Sequence, residues 1–349
     1  MNERREKHVI SVIIPVKNGE KTIEACLESL ASQTIPPDEI VVVDNGSTDG
    51  TVMCMKEWAF SHPNLQVQVA FEMKAGPGAA RNRGAKSAKG KVLAFLDADC
   101  VAEPEWIERI EGEFQGGCRA VGGSYGGYLS GHWMEKYVHA ARLSLLGKRM
   151  PLAKVSLHGA FLVGANSAVE TTLFEKVGGY DETLKAGEDF EFSARLIRHG
   201  VTPIYNPAIR VLHQSRTSMK ERLRRNFLSG LIEVYVFKRH SERKAFLRLF
   251  PGRTFEIPSR WRFYLDVWSP FSFLILLGVL FLMWGVRGLW GISPFALLLF
   301  LRFGWIMKRG GEKVGLGELT LIVLSWFLEH VWLEAGRFCG TLRYGVLYV

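Results

Sequence analysis

A chain of 349 residues with 44 Lys and Arg against 35 Asp and Glu carries a formal charge of +9, and 48% of it is hydrophobic. These figures exclude intrinsic disorder and leave room for about two folding units. A mean hydropathy of +0.06 in so charged a chain reflects a polar body joined to a very apolar stretch from Val267 on, which disfavours a purely soluble protein. The five cysteines, Cys26, Cys54, Cys100, Cys118 and Cys339, form no CxxC pair and no zinc-finger spacing with histidine. That disfavours a structural zinc site and a disulfide framework, and it suits a reducing cytoplasm. Met1 to His8 is charged and no long apolar core follows it, so no secretory signal is expected.

The run Val9–Ile14 is β-branched and ends at Pro15, which predicts a buried strand. Ile23, Cys26, Leu27 and Leu30 recur at helical spacing within Thr22–Ser32. A strand follows at Glu39–Val43, closed by Asp44-Asn45-Gly46-Ser47, and Asp49-Gly50-Thr51 opens a helix to about Ser61. Leu65–Phe71, Ala79–Ala88 and Val92–Leu96 continue as strand, helix and strand, the last ending at Asp97-Ala98-Asp99. The alternation predicts βαβ units and a mostly parallel sheet, with ligands outside the carboxyl ends of the strands, where Asp44 and Asp97 fall. Further on, the pattern predicts a helix over Trp133–Leu146 and a strand with a turn over Gly159–Val169. Helices follow over Leu173–Val177 and Glu188–His199, then short strands over 202–205 and Arg210–His213.

Residues 195–262 hold 16 Lys and Arg against four acids, so the positive charge is local. Apolar residues interleave with it from Met219 to Phe250, a basic amphipathic pattern suited to a headgroup-facing surface. Val267–Val286 is uncharged over 20 residues, enough to cross a hydrocarbon core of about 30 Å. Gly288–Met307 is interrupted by Arg302 alone. Leu316–Leu333, carrying Glu318, Glu329 and His330, reads as a third span, a re-entrant element or an interfacial helix. Arg253, Arg260 and Arg262 precede the first run, and Lys308, Arg309 and Lys313 follow the second, which predicts a hairpin with both ends in the cytoplasm.

Three acidic clusters carry the chemistry. In Asp44-Asn45-Gly46-Ser47-Thr48-Asp49, Asp49 reads as a helix cap, whereas Asp44 sits at a strand end. Asp97 and Asp99 leave an apolar strand two residues apart and share a face if the extended geometry persists, so together they can hold a hard divalent cation. A solvated loop is the plainer alternative. Glu188 and Asp189 open a helix, as caps at its dipole or as a general base. Gly76-Pro77-Gly78-Ala79-Ala80-Arg81-Asn82-Arg83-Gly84 leads into a helix where amides and a guanidinium could meet a phosphate. It is neither GxGxxG nor a Walker A sequence. His213, after a short strand, reads equally as a metal ligand or phosphate contact and as a packed histidine.

In this order the pieces resemble family 2 glycosyltransferases of the GT-A fold. The resemblance is carried by Ser11-Val12-Ile13-Ile14-Pro15-Val16-Lys17-Asn18, the helix Ile23 to Gln33, Val41-Val42-Val43-Asp44-Asn45-Gly46-Ser47-Thr48-Asp49, Gly78 to Gly84, Asp97-Ala98-Asp99, Phe174 to Asp181 and Glu188-Asp189. It covers about residues 9–215. It implies an α/β GT-A fold, a Rossmann-like, mostly parallel sheet flanked by helices, here with C-terminal transmembrane helices. It further implies inverting transfer from a nucleotide-sugar with Mg²⁺ or Mn²⁺. By that resemblance Pro15, Val16 and Asp44 line the base pocket, with Arg81 nearby; Asn18 and Glu188, inside the quoted motifs, are further candidate nucleotide-sugar contacts. Asp97 approaches the nucleoside, Asp99 holds the metal and Asp189 takes the acceptor proton; His213 is a candidate further metal ligand from its position alone. Two departures stand out: Gly19 replaces an acid that the family often has there, with Glu20 one position later. The Gln-x-x-Arg-Trp sequence of processive synthases is absent, and Arg222-Leu223-Arg224-Arg225-Asn226 stands downstream, which favours a single transfer per acceptor.

The expected layout is a catalytic domain over 1–215, basic amphipathic juxtamembrane helices over 216–266 and a membrane region over 267–349. The protein is then a multi-pass cell-membrane enzyme with its catalytic domain in the cytoplasm and a lipid-linked acceptor. A cell-surface polysaccharide or other glycan acceptor is the alternative. Nucleotidyl transfer lacks a phosphate-binding signature near the start of the chain. A membrane scaffold or nucleic-acid-binding protein is the remote reading of the basic stretch, so no nucleic-acid partner is expected. The sequence leaves homo-oligomerisation open.

Overall fold

A computed structural model describes residues 8–127, 148–152, 161–213, 218–240, 244–250, 253–258, 263–266, 301, 303–308 and 315–348. Strand β1 (Ile10–Val16) lies between β2 (Glu39–Asp44) and β4 (Val92–Leu96), all parallel, and β3 (Val67–Phe71) adds beyond β2. Every residue of β2 and β4 is buried, as a strand covered on both faces requires. β1 runs through Pro15 rather than stopping before it. Its pairing with β4 ends at Ile13, so the missing Pro15 N–H falls where β2 alone is a neighbour. The period of two along β1 sorts Ile10, Val12 and Ile14 to one core and Ile13 to the other. Helices α1 (Ile23–Ala31), α2 (Thr51–Ser61) and α3 (Pro77–Ser87) form the crossovers. α3 lies close on the sheet because a Cβ at Gly84 would overlap Ile13 and press on Val43.

The other half of this unit holds β5 (Cys100–Ala102), α4 (Trp106–Gln115), β6 (Ala120–Gly127), β7 (Met150–Pro151), β8 (Asn166–Glu170), α5 (Thr171–Lys176), α6 (Glu188–Arg198) and β9 (Ile204–His213). The strand order is β3-β2-β1-β4-β8-β6-β9-β5, with β7 on β9. β8 is antiparallel to β4 and β6, β9 is parallel to β6, and β5 is antiparallel to β9. Where two short strands were expected before His213, β9 is one strand. The expected helix Trp133–Leu146 lies outside the described residues. Asn166 joins the elements at the centre. It accepts from Trp106 Nε1 at 2.9 Å and donates to the Ser124 and Ile209 carbonyls at 2.8 and 3.0 Å.

A second compact unit takes in residues 129–144 and 216–349. It contains α7 (Met219–His240), β10 (Lys244–Phe250), β11 (Arg253–Pro258), β12 (Phe263–Asp266), α8 (Leu316–Tyr344) and β13 (Leu347–Tyr348). Its sheet has the order β11-β10-β12-β13. The stretch 216–266, expected as helices, is therefore helical only to His240. β10 and β11 are antiparallel, with Phe250 opposite Arg253. α7 and α8 touch backbone to backbone: a Cβ at Gly230 would overlap the Leu333 carbonyl, and one at Gly336 the Phe227 carbonyl. Between them Arg337, 1% exposed, donates to Glu233 at 2.7 Å and Glu334 at 2.6 Å, while Arg222 holds Glu329. Of the acids that interrupt the third apolar run, Glu329 is thus neutralised within the helix pair, while Glu318 accepts the Gly315 N–H at the start of α8.

The first expected span, Val267–Val286, lies outside the described residues. The second, Gly288–Met307, is described only at Leu301 and over 303–307, as helix. The third falls within α8, which by length and composition is long and apolar enough to cross a membrane.

Candidate active site

β1 and β2 end side by side, with Val16 opposite Asp44. Asp44 is buried, and its carboxylate accepts the Gly46 N–H at 3.2 Å and the Ser47 N–H at 3.3 Å. This Asx turn closes the strand. Asn18 sits at φ 53, a left-handed position that asparagine tolerates better than most residues. From there its N–H donates to Ser47 Oγ and its side-chain oxygen accepts the Thr48 N–H, both at 2.8 Å. The two loops are clamped together, with Pro15 half-buried and Val16 buried beneath them. Glu20 accepts the Gly50 N–H at 3.2 Å, so the displaced acid serves the same loop. Asp49 accepts the Thr51 N–H at 3.1 Å from the position before the N-cap, Gly50, so it braces the turn rather than capping α2.

Arg81 joins two of the acidic clusters. α3 delivers it to the interior, where it is 3% exposed. Nη1 donates to Glu188 at 2.6 Å and Nη2 to Asp97 at 2.7 Å. Its guanidinium lies 5.5 Å from the centroid of the buried Tyr180 ring, a cation–π contact. Gly164 lies on its other side, since a Cβ there would stand 2.7 Å from Arg81 Cζ. Both terminal nitrogens are committed to carboxylates, so Arg81 is a strut between β4 and α6. Only its Nε, buried, has no hydrogen-bond partner among the described residues.

Asp99 and His213 meet at the far edge of the sheet. Asp99 Oδ1 is 3.5 Å from His213 Nε2, and Cys100 Sγ is 3.9 Å from the same oxygen. Tyr125 packs edge-on against the His213 ring at 5.7 Å.

α6 begins after Gly187, at φ 72, so that Glu188 turns in to Arg81 and Asp189 follows it. Asp189 accepts the Phe190 N–H at 2.8 Å and the Gly164 N–H at 3.2 Å. Burial first, and then the neighbouring Glu188 charge, raise its carboxyl to about 6, against the pull of Arg81 and the two N–H donors. A carboxyl poised there can exchange a proton near neutral pH.

The structure thus brings Arg81, Asp97, Glu188 and Asp189 into one cluster, Asp99 and His213 into a pair, and Pro15, Val16, Asn18 and Asp44 into a loop-capped edge. Sequence reasoning missed four residues. Tyr180 and Asn82 stood inside quoted motifs: Asn82 Nδ2 donates to the Tyr180 carbonyl and Asn82 Oδ1 accepts its N–H, at 2.9 and 2.8 Å. Gly164 and Cys100 had no sequence signal, because Arg81, which the first meets, and His213, which stands opposite the second, are distant in the chain.

The comparisons bear on the family and the fold. A profile described as Glycosyl transferase family 2 matches residues 11–178. Glycosyltransferase AglE of Haloferax volcanii is 30% identical over 247 residues, covering 68% of this chain and 77% of that protein. Pre-mycofactocin glycosyltransferase of Mycobacterium tuberculosis is 29% identical over 250 residues, 70% of this chain and half of that one. Among solved structures, mannosyltransferase PcManGT from Pyrobaculum calidifontis, in complex with GDP-Man and Mn²⁺, aligns with a TM-score of 0.57 at 18% identity, over 97% of this chain and 88% of that one. TarS of S. aureus aligns at 0.51 and 20%, over 67% and 66%. The chain belongs to the family 2 glycosyltransferases, on a GT-A fold. It is a transferase enzyme.

Proposed function

We propose that the protein is an inverting, divalent-metal-dependent glycosyltransferase that acts on a lipid-linked acceptor at the cytoplasmic face of the cell membrane. The observation that carries this reading is the Asp97–Arg81–Glu188 bridge, which ties the Asp97-Ala98-Asp99 turn to the helix bearing a carboxyl at about 6. Pro15, Val16, Asn18 and Asp44 hold the nucleoside. Asp97, fixed by Arg81, faces it. A carboxylate oxygen and an imidazole nitrogen 3.5 Å apart suit a hard or borderline divalent ion, so Asp99 and His213 would hold Mg²⁺ or Mn²⁺. When bound, that ion neutralises charge developing on the leaving diphosphate.

Inversion needs one base on the face opposite the leaving group. Asp189 takes the proton of the acceptor hydroxyl as its oxygen bonds to the anomeric carbon. The carbon–phosphate-oxygen bond breaks in the same event, and the nucleoside diphosphate leaves with the electron pair. The Gly164 and Phe190 amides hold the carboxylate in place. The lipid-linked acceptor is favoured by the apolar α8 and by the basic residues of α7, which suit an anionic leaflet. PcManGT, bound to GDP-Man and Mn²⁺, supports the donor and metal classes. Asp99→Ala tests the reading: Mn²⁺-dependent stabilisation by UDP-, GDP- or dTDP-sugars should appear in the native chain and vanish in the variant. Unchanged Mn²⁺ dependence would show that Asp99 does not hold the metal.

A further inference from the structure

Cys100 stands directly opposite His213 in the antiparallel β5–β9 ladder. Directly opposed residues put their side chains on one face, with Cβ atoms about 5 Å apart. Asp99, the residue before β5, turns its carboxylate onto the same spot. The result is a set of three different donors, oxygen, sulfur and nitrogen, whose ligand atoms all lie within 4.8 Å of one another. Around a tetrahedral zinc ion, metal–ligand bonds of about 2.0–2.3 Å place neighbouring ligand atoms roughly 3.4–3.7 Å apart. Here the oxygen–nitrogen and oxygen–sulfur distances are already 3.5 and 3.9 Å.

We propose that Asp99, Cys100 and His213 form a binding site for a zinc-class ion, which competes with the hard ion for the Asp99–His213 pair. The inference rests on the reading of that pair as metal ligands and adds the sulfur. Thiolate is a soft ligand that selects zinc-class ions over Mg²⁺ and Mn²⁺. As the sulfur–metal bond forms, the thiol proton leaves to solvent, because a coordinating thiol is deprotonated by the ion itself. Three protein ligands leave a fourth position open, as in catalytic rather than structural zinc sites. Cysteine spacing disfavoured a structural zinc site, and this one is assembled by strand register instead.

The test is a Co²⁺ titration of the full chain in detergent, without nucleotide and under a metal-free reductant. A thiolate-to-cobalt charge-transfer band should appear in the native protein and in Cys26→Ser, and Zn²⁺ should displace it. The band should be lost in Cys100→Ser, and Zn²⁺ affinity should fall at least tenfold there and in His213→Ala. No band in the native protein, or a band that survives Cys100→Ser, overturns the proposal. Should Cys100→Ser fail to fold, His213→Ala with native Zn²⁺ affinity overturns it equally. Mn²⁺-dependent donor binding without the cobalt–thiolate band would refute this inference and leave the glycosyltransferase reading standing.

Discussion

Asp189 behaves unlike a surface aspartate. Its native carboxyl lies at about 6, above the unfolded value of about 3.9, so the native state holds this proton more tightly. Its contribution to stability is fully present below about pH 4 and is lost as the pH rises through about 6. Carrying the charge costs the fold about 1–3 kcal/mol at pH 7.5. Asp189→Asn should therefore raise the melting temperature at pH 7.5 and leave it nearly unchanged at pH 4, as thermal unfolding at the two pH values will show. In the native enzyme, kcat should drop about tenfold per pH unit below about 6. Gly164→Ala crowds Arg81 at 2.7 Å and should raise the donor KM far more than it lowers kcat, a split that steady-state kinetics resolves. The acids were legible because apolar strands and helix starts announced them. Arg81 was legible as a site residue, but its inward direction was not, since Asp97 and Glu188 reach it only through the fold.

Among elements, the parallel half was read almost residue by residue, because β-branched runs and helical spacing are local signals. β5, at three residues, is too short to have a period and exists only as a partner of β9. α4 carries Trp106, Ile107, Ile110 and Phe114 on its buried face, a helical spacing present in the sequence but overshadowed by the acidic turn before it. The strands β10, β11 and β12 are mostly apolar, broken by Lys244, Arg248, Arg253 and Glu256, and that mixture of apolar and basic residues suggested amphipathic helices. The α7–α8 contact depends on Gly230 and Gly336, which have no polar role to announce them. Gly336→Ala places a methyl into the Phe227 carbonyl and should cost about 1–3 kcal/mol, in line with overpacking. A melting temperature equal to that of the native chain would mean that the helices do not touch there.

At the scale of the whole molecule, a family 2 glycosyltransferase unit is followed along the chain by a unit containing an apolar helix and a basic one. A protein attached through α8 should stay with the membrane pellet after alkaline carbonate extraction. Release into the supernatant would leave the lipid-linked acceptor without its physical support. The central claim is that sugar transfer at this site is driven by Asp189 as base, and one paired measurement tests it most directly. With Mn²⁺ and the donor that stabilises the native chain, Asp189→Asn should bind that donor with native affinity and transfer sugar about 10²–10⁴ times more slowly. Near-native transfer by Asp189→Asn would contradict the account.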